Sequence, residues 1–285
     1  MEIKRVTVIG GGTMGQQIAL NAAVKGFDTT LTDSFPGVLD KVATWSKGYL
    51  DGRVAKGKMA SEEAAAITKR FHMVESLEAA VTEADLVIEA IVEVLDAKKE
   101  LFAKVAKMAP ADAIIVSNSS TFVPSSMAAA TGKPEKFANL HYFNPALHMD
   151  LVEIVVGPQS SPETIKSLVN FAAKIGKQAI TVQKEIEGFI VNRLFGALTT
   201  EAWFLVENGY ATVEDIDTAA EKGLGHPMGA FRTMDLAGLD TIYSIRLAKY
   251  KAGTGAIPPK ILEEKVNKGE LGRKTGKGFY TYDNK

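Results

Sequence analysis

The sequence predicts an α/β fold in which a mainly parallel, Rossmann-type sheet domain is followed by a smaller all-helical domain. Over the first two thirds of the chain, short apolar runs alternate with helical stretches. Strands buried on both faces of a parallel sheet have this nearly continuous apolar character. After about Val182 the pattern becomes almost wholly helical, and 285 residues are enough for two domains.

The strands are predicted from apolar runs that are too short for buried helices. In chain order these runs are IKRVTVIG, FDTTLTD, FHMV, ADLVIEA, AIIVSN, ANLHYF, LVEIVVG and QAITV. Helical periodicity marks the stretches between them, such as GTMGQQIALNAAVKG, LDAKKELFAKVAKMA and SPETIKSLVNFAAKIG. We therefore predict a first domain over residues 1–184.

The second domain is predicted over residues 185–285, where helical patterns follow one another. Its first helix, within GFIVNRLFGALTTEAWFLVENG, is apolar on nearly every face. One neighbour cannot cover such a helix, so it is either central to the domain or shared between subunits. A small helical domain gains core by association, and we expect a homodimer.

Composition excludes several classes of function. The chain has 46% hydrophobic and 24% charged residues and a formal net charge of -1, without the basic excess of a nucleic-acid-binding protein. Asn192, Arg193 and Glu201 interrupt its most apolar long run, which argues against a membrane span. The sequence enters an apolar strand directly, without the pattern of a secretory signal.

Cysteine and histidine usage narrows the chemistry further. With no cysteine, disulfides and thiolate catalysis are excluded, and a reducing cytoplasm is the expected location. The 4 histidines do not have the spacing of metal ligands, so no metal site is expected.

A glycine-rich motif of the form GxGxxG lies between the first strand and the first helix. It consists of Gly10, Gly11, Gly12, Thr13, Met14 and Gly15. Glycine at these points allows a tight turn and close approach of the backbone to a pyrophosphate, which then faces the helix N-terminus. Asp33 ends the next strand, where a carboxylate can hold the ribose hydroxyls of a dinucleotide. No Arg or Lys follows Asp33 before Lys41, which favours NAD over NADP.

The stretch HYFNPALHMDLVE sets His141 and Glu153 on two predicted strands joined by an Asn144-Pro145 turn. Hydride removal from an alcohol needs a base, and imidazole has a suitable pKa. A carboxylate bonded to the second ring nitrogen fixes the tautomer and stabilises the imidazolium. A histidine at a strand end is more often structural, but a carboxylate inside an apolar strand must be paired. We therefore predict that the two side chains form a catalytic dyad.

The motifs together resemble the 3-hydroxyacyl-CoA dehydrogenase family over essentially the whole chain. HYFNPALHMDLVEIVVG resembles its HFFNP...LVE signature, and SNSST resembles its SNTSS. Three further segments resemble family elements, namely GFIVNRL, HPMGAFRTMDLAGLD and GRKTGKGFYTY. The chain length is similar to that of the short-chain 3-hydroxybutyryl-CoA branch. The resemblance implies hydride transfer between NAD(H) and a 3-hydroxyacyl-CoA or 3-ketoacyl-CoA, in fatty acid or butanoate metabolism.

The resemblance also implies roles for individual residues. His141 is expected to be the catalytic base and Glu153 its orienting partner. Ser120 and Asn192 are expected to hydrogen-bond the substrate oxygens.

Further positions are expected to bind the cofactor or the substrate. The resemblance places Asn144 beside the nicotinamide, and Glu93, Lys98 and Lys274 at the cofactor. Lys56, in a basic helical segment, is our choice for a contact to the CoA phosphates. For the three lysines, a solvated surface position is the alternative.

Two other functions stay open at this point. Dehydrogenases of the 3-hydroxyisobutyrate or 6-phosphogluconate type resemble each other in using a catalytic lysine on the interdomain helix, where this chain has Asn192. A non-catalytic dinucleotide-binding structural protein on the same scaffold is the second alternative. The joint presence of His141, Glu153, Ser120 and Asn192 argues against it.

Overall fold

The structure is a computed structural model that describes residues 2–282. The chain forms two compact units, with the boundary between Ile190 and Val191. Among residues 2–282, no helix has both the length and the apolar character needed to cross a membrane.

The first unit is an eight-stranded sheet with helices on both faces, as predicted. Its strands are β1 (Arg5–Ile9), β2 (Asp28–Thr32), β3 (Phe71–Met73), β4 (Leu86–Glu89), β5 (Ile114–Ser117), β6 (Phe137–Tyr142), β7 (Leu151–Val155) and β8 (Gln178–Val182). Its helices are α1 (Thr13–Val24), α2 (Val38–Ala55), α3 (Ser61–Lys69), α4 (Leu77–Val81), α5 (Leu95–Met108) and α6 (Pro162–Lys174). Each predicted apolar run overlaps one of these strands.

The sheet order is β3-β2-β1-β4-β5-β6-β7-β8. In this order, every pair of neighbouring strands is parallel except β6 and β7, which are antiparallel. The order reverses direction between β1 and β4, which is where ligands bind in open α/β sheets.

The apolar side chains of the strands are buried on both faces of the sheet, which explains why the strands lack an alternating pattern. On one face, α1 and α6 pack on the strands, and Phe171 of α6 meets Phe27 with ring centroids 5.0 Å apart. On the other face, Phe102 of α5 packs against Phe137 of β6 at 5.2 Å. These two layers hold the carboxyl ends of the parallel strands in a fixed arrangement.

The second unit is helical, as predicted. Its helices are α7 (Val191–Glu207), α8 (Val213–Thr218), α9 (Ala230–Ala237), α10 (Leu239–Lys251) and α11 (Lys260–Asn267), with a π-helical turn at Ala219–Gly223. Trp203 of α7 lies at the centre of its core, with ring centroids 5.1 Å from Phe231 and 5.3 Å from Phe279. The carboxylate of Asp235 accepts the N–H groups of Phe279 and Tyr280, which binds the C-terminal segment to α9.

Candidate active site

The turn between β1 and α1 needs glycine at two positions for reasons internal to the fold. Gly10 has a φ of 109°, and a Cβ there would lie 2.5 Å from the carbonyl oxygen of Ala90. A Cβ at Gly15 would overlap the carbonyl oxygen of Gly10. These contacts bring the strand and the helix together more closely than any side chain allows.

Gly12 differs from both, because its missing side chain leaves space open. Apart from the two neighbouring residues in the chain, no described residue lies within 4 Å of a Cβ built on Gly12. Gly12 is also the N-cap of α1, and no side chain among residues 2–282 caps this helix start. Thr13 and Met14 form the first turn, so unpaired backbone N–H groups and the positive end of the helix dipole face this space. The turn therefore fits a pyrophosphate.

Asp33 lies directly after β2, beside the same turn. Its Oδ2 accepts the backbone N–H of Gly11 at 2.7 Å, and its Oδ1 accepts that of Phe35 at 2.8 Å. These two bonds hold the carboxylate in a fixed orientation at the edge of the pyrophosphate space. The remaining lone pairs can accept ribose hydroxyls, so the geometry fits the adenosine half of a dinucleotide.

His141 and Glu153 are paired directly across β6 and β7 in the antiparallel register. His141 Nδ1 lies 2.8 Å from Glu153 Oε2, and the Glu153 side chain is 0% exposed. Glu153 Oε1 accepts the backbone N–H of Ile190 at 2.9 Å. When Nδ1 donates to the carboxylate, Nε2 is left as the basic nitrogen of the neutral ring. The register of the two strands brings the two side chains together, and their catalytic role stays a prediction.

Two aromatic rings fix the plane of the imidazole. Phe143 lies with its ring centroid 4.6 Å from that of His141, and Phe189 lies at 5.4 Å. Phe189 is fully buried and has a backbone φ of 50°, which is unusual for a residue other than glycine. Sequence reasoning did not identify Phe189, although it follows Gly188 in the segment that resembles the GFIVNR element.

A buried polar network lies at the carboxyl ends of β4 and β5, next to the point where the strand order reverses. Glu89 and Ser117 end these strands and are partners in register, and Ser117 Oγ donates to Glu89 Oε2 at 2.5 Å. Lys98 Nζ lies 2.6 Å from Glu89 Oε1 and 3.1 Å from Glu93 Oε2. The Lys98 side chain is only 1% exposed, so the alternative of a solvated surface lysine is wrong. Its cofactor contact stays a prediction, and its burial favours an indirect role through Glu93.

Glu93 connects this network to the loop that follows β5. Ser119 Oγ donates to its Oε1 at 2.5 Å, and the backbone N–H of Thr121 donates at 3.2 Å. Partial burial opposes ionisation, but the Ser119 hydrogen bond and the Lys98 ammonium outweigh it and lower the pKa of Glu93. The Glu93 carboxylate therefore stays charged at neutral pH.

Ser120 is half-buried in the same loop. The loop is hydrogen-bonded to β6, the strand that carries His141, because Asn118 Oδ1 accepts the backbone N–H of Tyr142 at 2.9 Å. Asn139 Nδ2 in turn donates to the carbonyl oxygen of Phe122 at 2.7 Å. The sheet thus holds the loop that carries Ser120 beside the end of β6, where His141 lies.

Asn144 lies two residues after the end of β6 and contacts α1. Gln17 Nε2 is 3.5 Å from Asn144 Oδ1 and 2.9 Å from the carbonyl oxygen of Thr13. Asn144 is therefore close to the first turn of the helix that faces the pyrophosphate space. The Asn144-Pro145 peptide bond is cis.

Three further predicted residues are exposed. Lys56 is the exposed C-cap of α2. In the second unit, Asn192 is exposed on α7, and Lys274 Nζ lies 2.6 Å from both carboxylate oxygens of Asp240. Their predicted ligand contacts stay predictions. Within residues 2–282, no group of His, Asp and Glu side chains could hold a metal ion.

Comparison with known proteins gives matches over both units. A family model described as "3-hydroxyacyl-CoA dehydrogenase, NAD binding domain" matches residues 5–186. A second, described as "3-hydroxyacyl-CoA dehydrogenase, C-terminal domain", matches residues 188–282. Together these matches extend over nearly the whole chain.

Similar proteins carry related names. The chain is 40% identical to hydroxyacyl-coenzyme A dehydrogenase, mitochondrial, of Sus scrofa, over 98% of this chain and 91% of that protein. It is 36% identical to a probable 3-hydroxybutyryl-CoA dehydrogenase of Bacillus subtilis, over 100% of this chain and 99% of that one. A crystal structure of 3-hydroxybutyryl-CoA dehydrogenase from Escherichia coli matches with a TM-score of 0.92 and 35% identity. That match covers 100% of this chain but spans only 61% of the other.

Proposed function

This chain belongs to the 3-hydroxyacyl-CoA dehydrogenase family and is an NAD-dependent oxidoreductase, and on this premise we propose that it interconverts 3-hydroxyacyl-CoA and 3-ketoacyl-CoA. The observation that carries the proposal is the buried Glu153 carboxylate bonded to Nδ1 of His141. Relatives named 3-hydroxybutyryl-CoA dehydrogenase support 3-hydroxybutyryl-CoA and acetoacetyl-CoA as the favoured pair.

His141 is the general acid and base of the proposed reaction. In the oxidative direction Nε2 accepts the proton of the 3-hydroxyl group, and in the reductive direction it returns a proton to the forming alkoxide. NAD, when bound, supplies the acceptor or donor of the hydride. Glu153 keeps the Nδ1 proton in place and stabilises the imidazolium that forms, as a carboxylate does in other acid–base dyads.

The chain also offers neutral donors for the oxygen on which charge develops. Ser120 and Asn192 are proposed to donate to the substrate oxygens, which stabilises the alkoxide. A donor that is held in place before the reaction costs no reorganisation when the charge appears. The hydrogen bond between Asn118 and Tyr142 supports this role for Ser120, since it holds that loop beside the dyad strand.

The cofactor is proposed to bind along the carboxyl ends of β1, β2 and β4. The glycine-rich turn holds its pyrophosphate, and Asp33 holds the adenosine ribose. Asn144 and Glu93 would contact the nicotinamide half of the cofactor. Lys98 supports Glu93 by neutralising its charge, and Lys274 is proposed as a further contact.

We also propose that the protein acts as a homodimer through its second unit. That unit exposes large apolar side chains, including Leu194 at 67% and Phe204 at 49%, both on α7. Isolated exposed apolar residues are ordinary, but several large ones on a small helical unit indicate an interface. A second copy of the same surface is the partner that we propose.

The substrate assignment is tested by following NADH oxidation with three compounds. Acetoacetyl-CoA should be reduced rapidly, whereas free acetoacetate and the free 3-oxo acid that a 3-hydroxyisobutyrate-type enzyme would reduce should react poorly. A chain-length series up to 3-ketopalmitoyl-CoA should show whether the short substrate is preferred. Equal rates with free acids would contradict the acyl-CoA assignment, and inactivity with every compound would favour a non-catalytic protein.

The same assay tests Lys56. Lys56→Ala should raise KM for acetoacetyl-CoA but leave KM for acetoacetyl-pantetheine unaffected. The truncated substrate lacks the nucleotide portion of CoA, which carries the phosphates that Lys56 is proposed to contact. Lys58→Ala, on the neighbouring exposed lysine, is the matched control. An equal effect on both substrates would mean that Lys56 acts through the fold.

A further inference from the structure

Lys177 is a buried cation outside the proposed catalytic groups. It lies between the end of α6 and the start of β8, and only 7% of the residue is exposed. Burial lowers the pKa of Lys177, while Asp150 raises it and Lys25 lowers it further. Burying an ammonium group is costly unless it is hydrogen-bonded, so its partners indicate what the position does.

The partners of Lys177 are backbone carbonyls of a single loop. Its Nζ donates to the carbonyl oxygen of Ala146 at 2.7 Å and to that of Met149 at 2.6 Å. Both distances are those of hydrogen bonds strengthened by charge. The two carbonyls belong to residues 143–150, which join β6 to β7 and which we call the dyad loop. One ammonium therefore fixes the dyad loop at two points.

The dyad loop also contacts the side chain of Gln17 in α1. Gln17 Oε1 accepts the backbone N–H of Leu147 at 3.4 Å, and its Nε2 lies 3.5 Å from Asn144 Oδ1. The same Nε2 donates to the carbonyl oxygen of Thr13, in the first turn of α1. The loop therefore spans the distance between the pyrophosphate turn and the strand of His141. Among the described contacts, Lys177 is the only charged side chain that donates hydrogen bonds to the backbone of the dyad loop.

We propose that Lys177 is a positioning residue that fixes the dyad loop, so that the Asn144 amide is held at the nicotinamide end of the site. The role of Asn144 rests on the proposed function, whereas the grip of Lys177 on the loop does not. Loss of the ammonium leaves two carbonyls without their charged donor and frees the loop to shift. A displacement of about 1 Å at a catalytic site can cost about 10²-fold in rate.

The first test measures the loop without any turnover. Lys177→Met keeps the length of the side chain and removes the ammonium. Hydrogen exchange should become faster at the His148 and Met149 amides, which donate to the carbonyl oxygen of Pro145. Exchange in β1 should stay unchanged. Lys174→Met, which removes an exposed lysine from the end of α6, is the matched control. Unchanged exchange in the dyad loop of a folded Lys177→Met would overturn the proposal.

The second test asks whether Lys177 acts through Asn144. In NADH-dependent reduction of acetoacetyl-CoA, Lys177→Met should lower kcat by roughly 10- to 100-fold, on the scale of a misplaced catalytic group. KM for acetoacetyl-CoA should change little. The double variant Lys177→Met, Asn144→Ala should be about as slow as Asn144→Ala alone, because residues that act as a unit are not additive.

The outcomes separate the alternatives. Additive losses in the double variant, or a wild-type rate in Asn144→Ala, would contradict action through Asn144. If Lys177→Met does not fold, Lys177→Gln keeps an N–H donor and carries the same cycle. If the wild-type protein does not reduce acetoacetyl-CoA, the proposed function fails. The exchange measurement still shows whether the Lys177 ammonium restrains the dyad loop.

Discussion

At the scale of a single residue, we expect Asp33 to determine which cofactor the site accepts. Its carboxylate is fixed by two backbone N–H groups beside the turn, so it cannot easily move away from a 2′-phosphate. A carboxylate about 4 Å from that phosphate costs up to about 4 kcal/mol at an effective dielectric near 20, and less where water reaches it.

We predict a preference for NADH over NADPH of roughly one to three decades in kcat/KM, because about 1.4 kcal/mol corresponds to tenfold. Asp33→Ser should reduce this preference. Steady-state kinetics with both cofactors checks it, and equal kcat/KM values for the wild-type protein would contradict the role given to Asp33.

Glu93 gives a prediction for pH. Its pKa lies below the ordinary value of 4.5 in the folded protein, despite partial burial, because of Ser119 and Lys98. A group with a lowered folded pKa stabilises the protein above the unfolded pKa, and this stabilisation is lost as the pH falls through the folded value.

The wild-type protein should therefore have a higher free energy of unfolding than Glu93→Gln. This difference should be largest above pH 4.5 and shrink at lower pH. Urea unfolding at a series of pH values measures it. Glu100→Gln, on an exposed part of α5, is the matched control. A difference that grows as the pH falls would show that the sign is wrong.

The sequence predicts the partner of Glu153 because a carboxylate inside an apolar strand must be neutralised or hydrogen-bonded. The same rule applies to Glu89 in ADLVIEA, so its buried network also has a signal in the sequence. Lys177 has no such signal. A lysine after a helix is usually solvated, and its two carbonyl partners lie on a different loop.

At the scale of elements, the β1–α1 turn contains two glycines that the fold requires, Gly10 and Gly15, and one, Gly12, that we expect a ligand to require. Gly15→Ala should destabilise the protein strongly, because its Cβ would overlap the Gly10 carbonyl oxygen. Gly12→Ala should fold normally, since its backbone has a φ of -68° and, apart from its two chain neighbours, no described residue lies within 4 Å of the added Cβ.

Gly12→Ala should instead weaken NADH binding, because the methyl group enters the space proposed for the pyrophosphate. Thermal unfolding and NADH fluorescence titration measure the two effects separately. Unchanged NADH affinity in Gly12→Ala would show that the pyrophosphate lies elsewhere.

The sequence predicts all eight strands because each lies in a short run rich in apolar or β-branched residues, but it does not predict their order. The antiparallel pairing of β6 and β7 follows from a short connection, since parallel strands need a crossover of a dozen or more residues. The predicted Asn144-Pro145 turn indicated that connection. The register that sets His141 opposite Glu153 depends on packing of the whole sheet.

At the scale of the whole molecule, the sequence predicts a sheet unit followed by a helical unit, and the structure confirms that architecture. The predicted cytoplasmic location stays a prediction. So does the homodimer, since association depends on a second chain.

If the second unit forms the dimer, sedimentation should give twice the mass of one chain. Leu194→Asp should shift the protein toward the monomer, because a charge is costly in an apolar interface. Val169→Asp, which alters an exposed apolar residue of α6 in the first unit, should leave the mass unchanged. A monomeric wild-type protein would contradict the proposed dimer.

Hydride transfer with His141 as the acid–base group is tested most directly by comparing wild type with His141→Gln in NADH oxidation by acetoacetyl-CoA. We expect kcat to fall by roughly 10²- to 10⁴-fold, the usual scale for loss of general acid–base catalysis. NADH affinity, measured by fluorescence, should change little. Glu153→Gln should also lose rate, because it keeps the shape of the side chain but removes the charge that stabilises the imidazolium. Wild-type turnover in His141→Gln would contradict the assignment of His141.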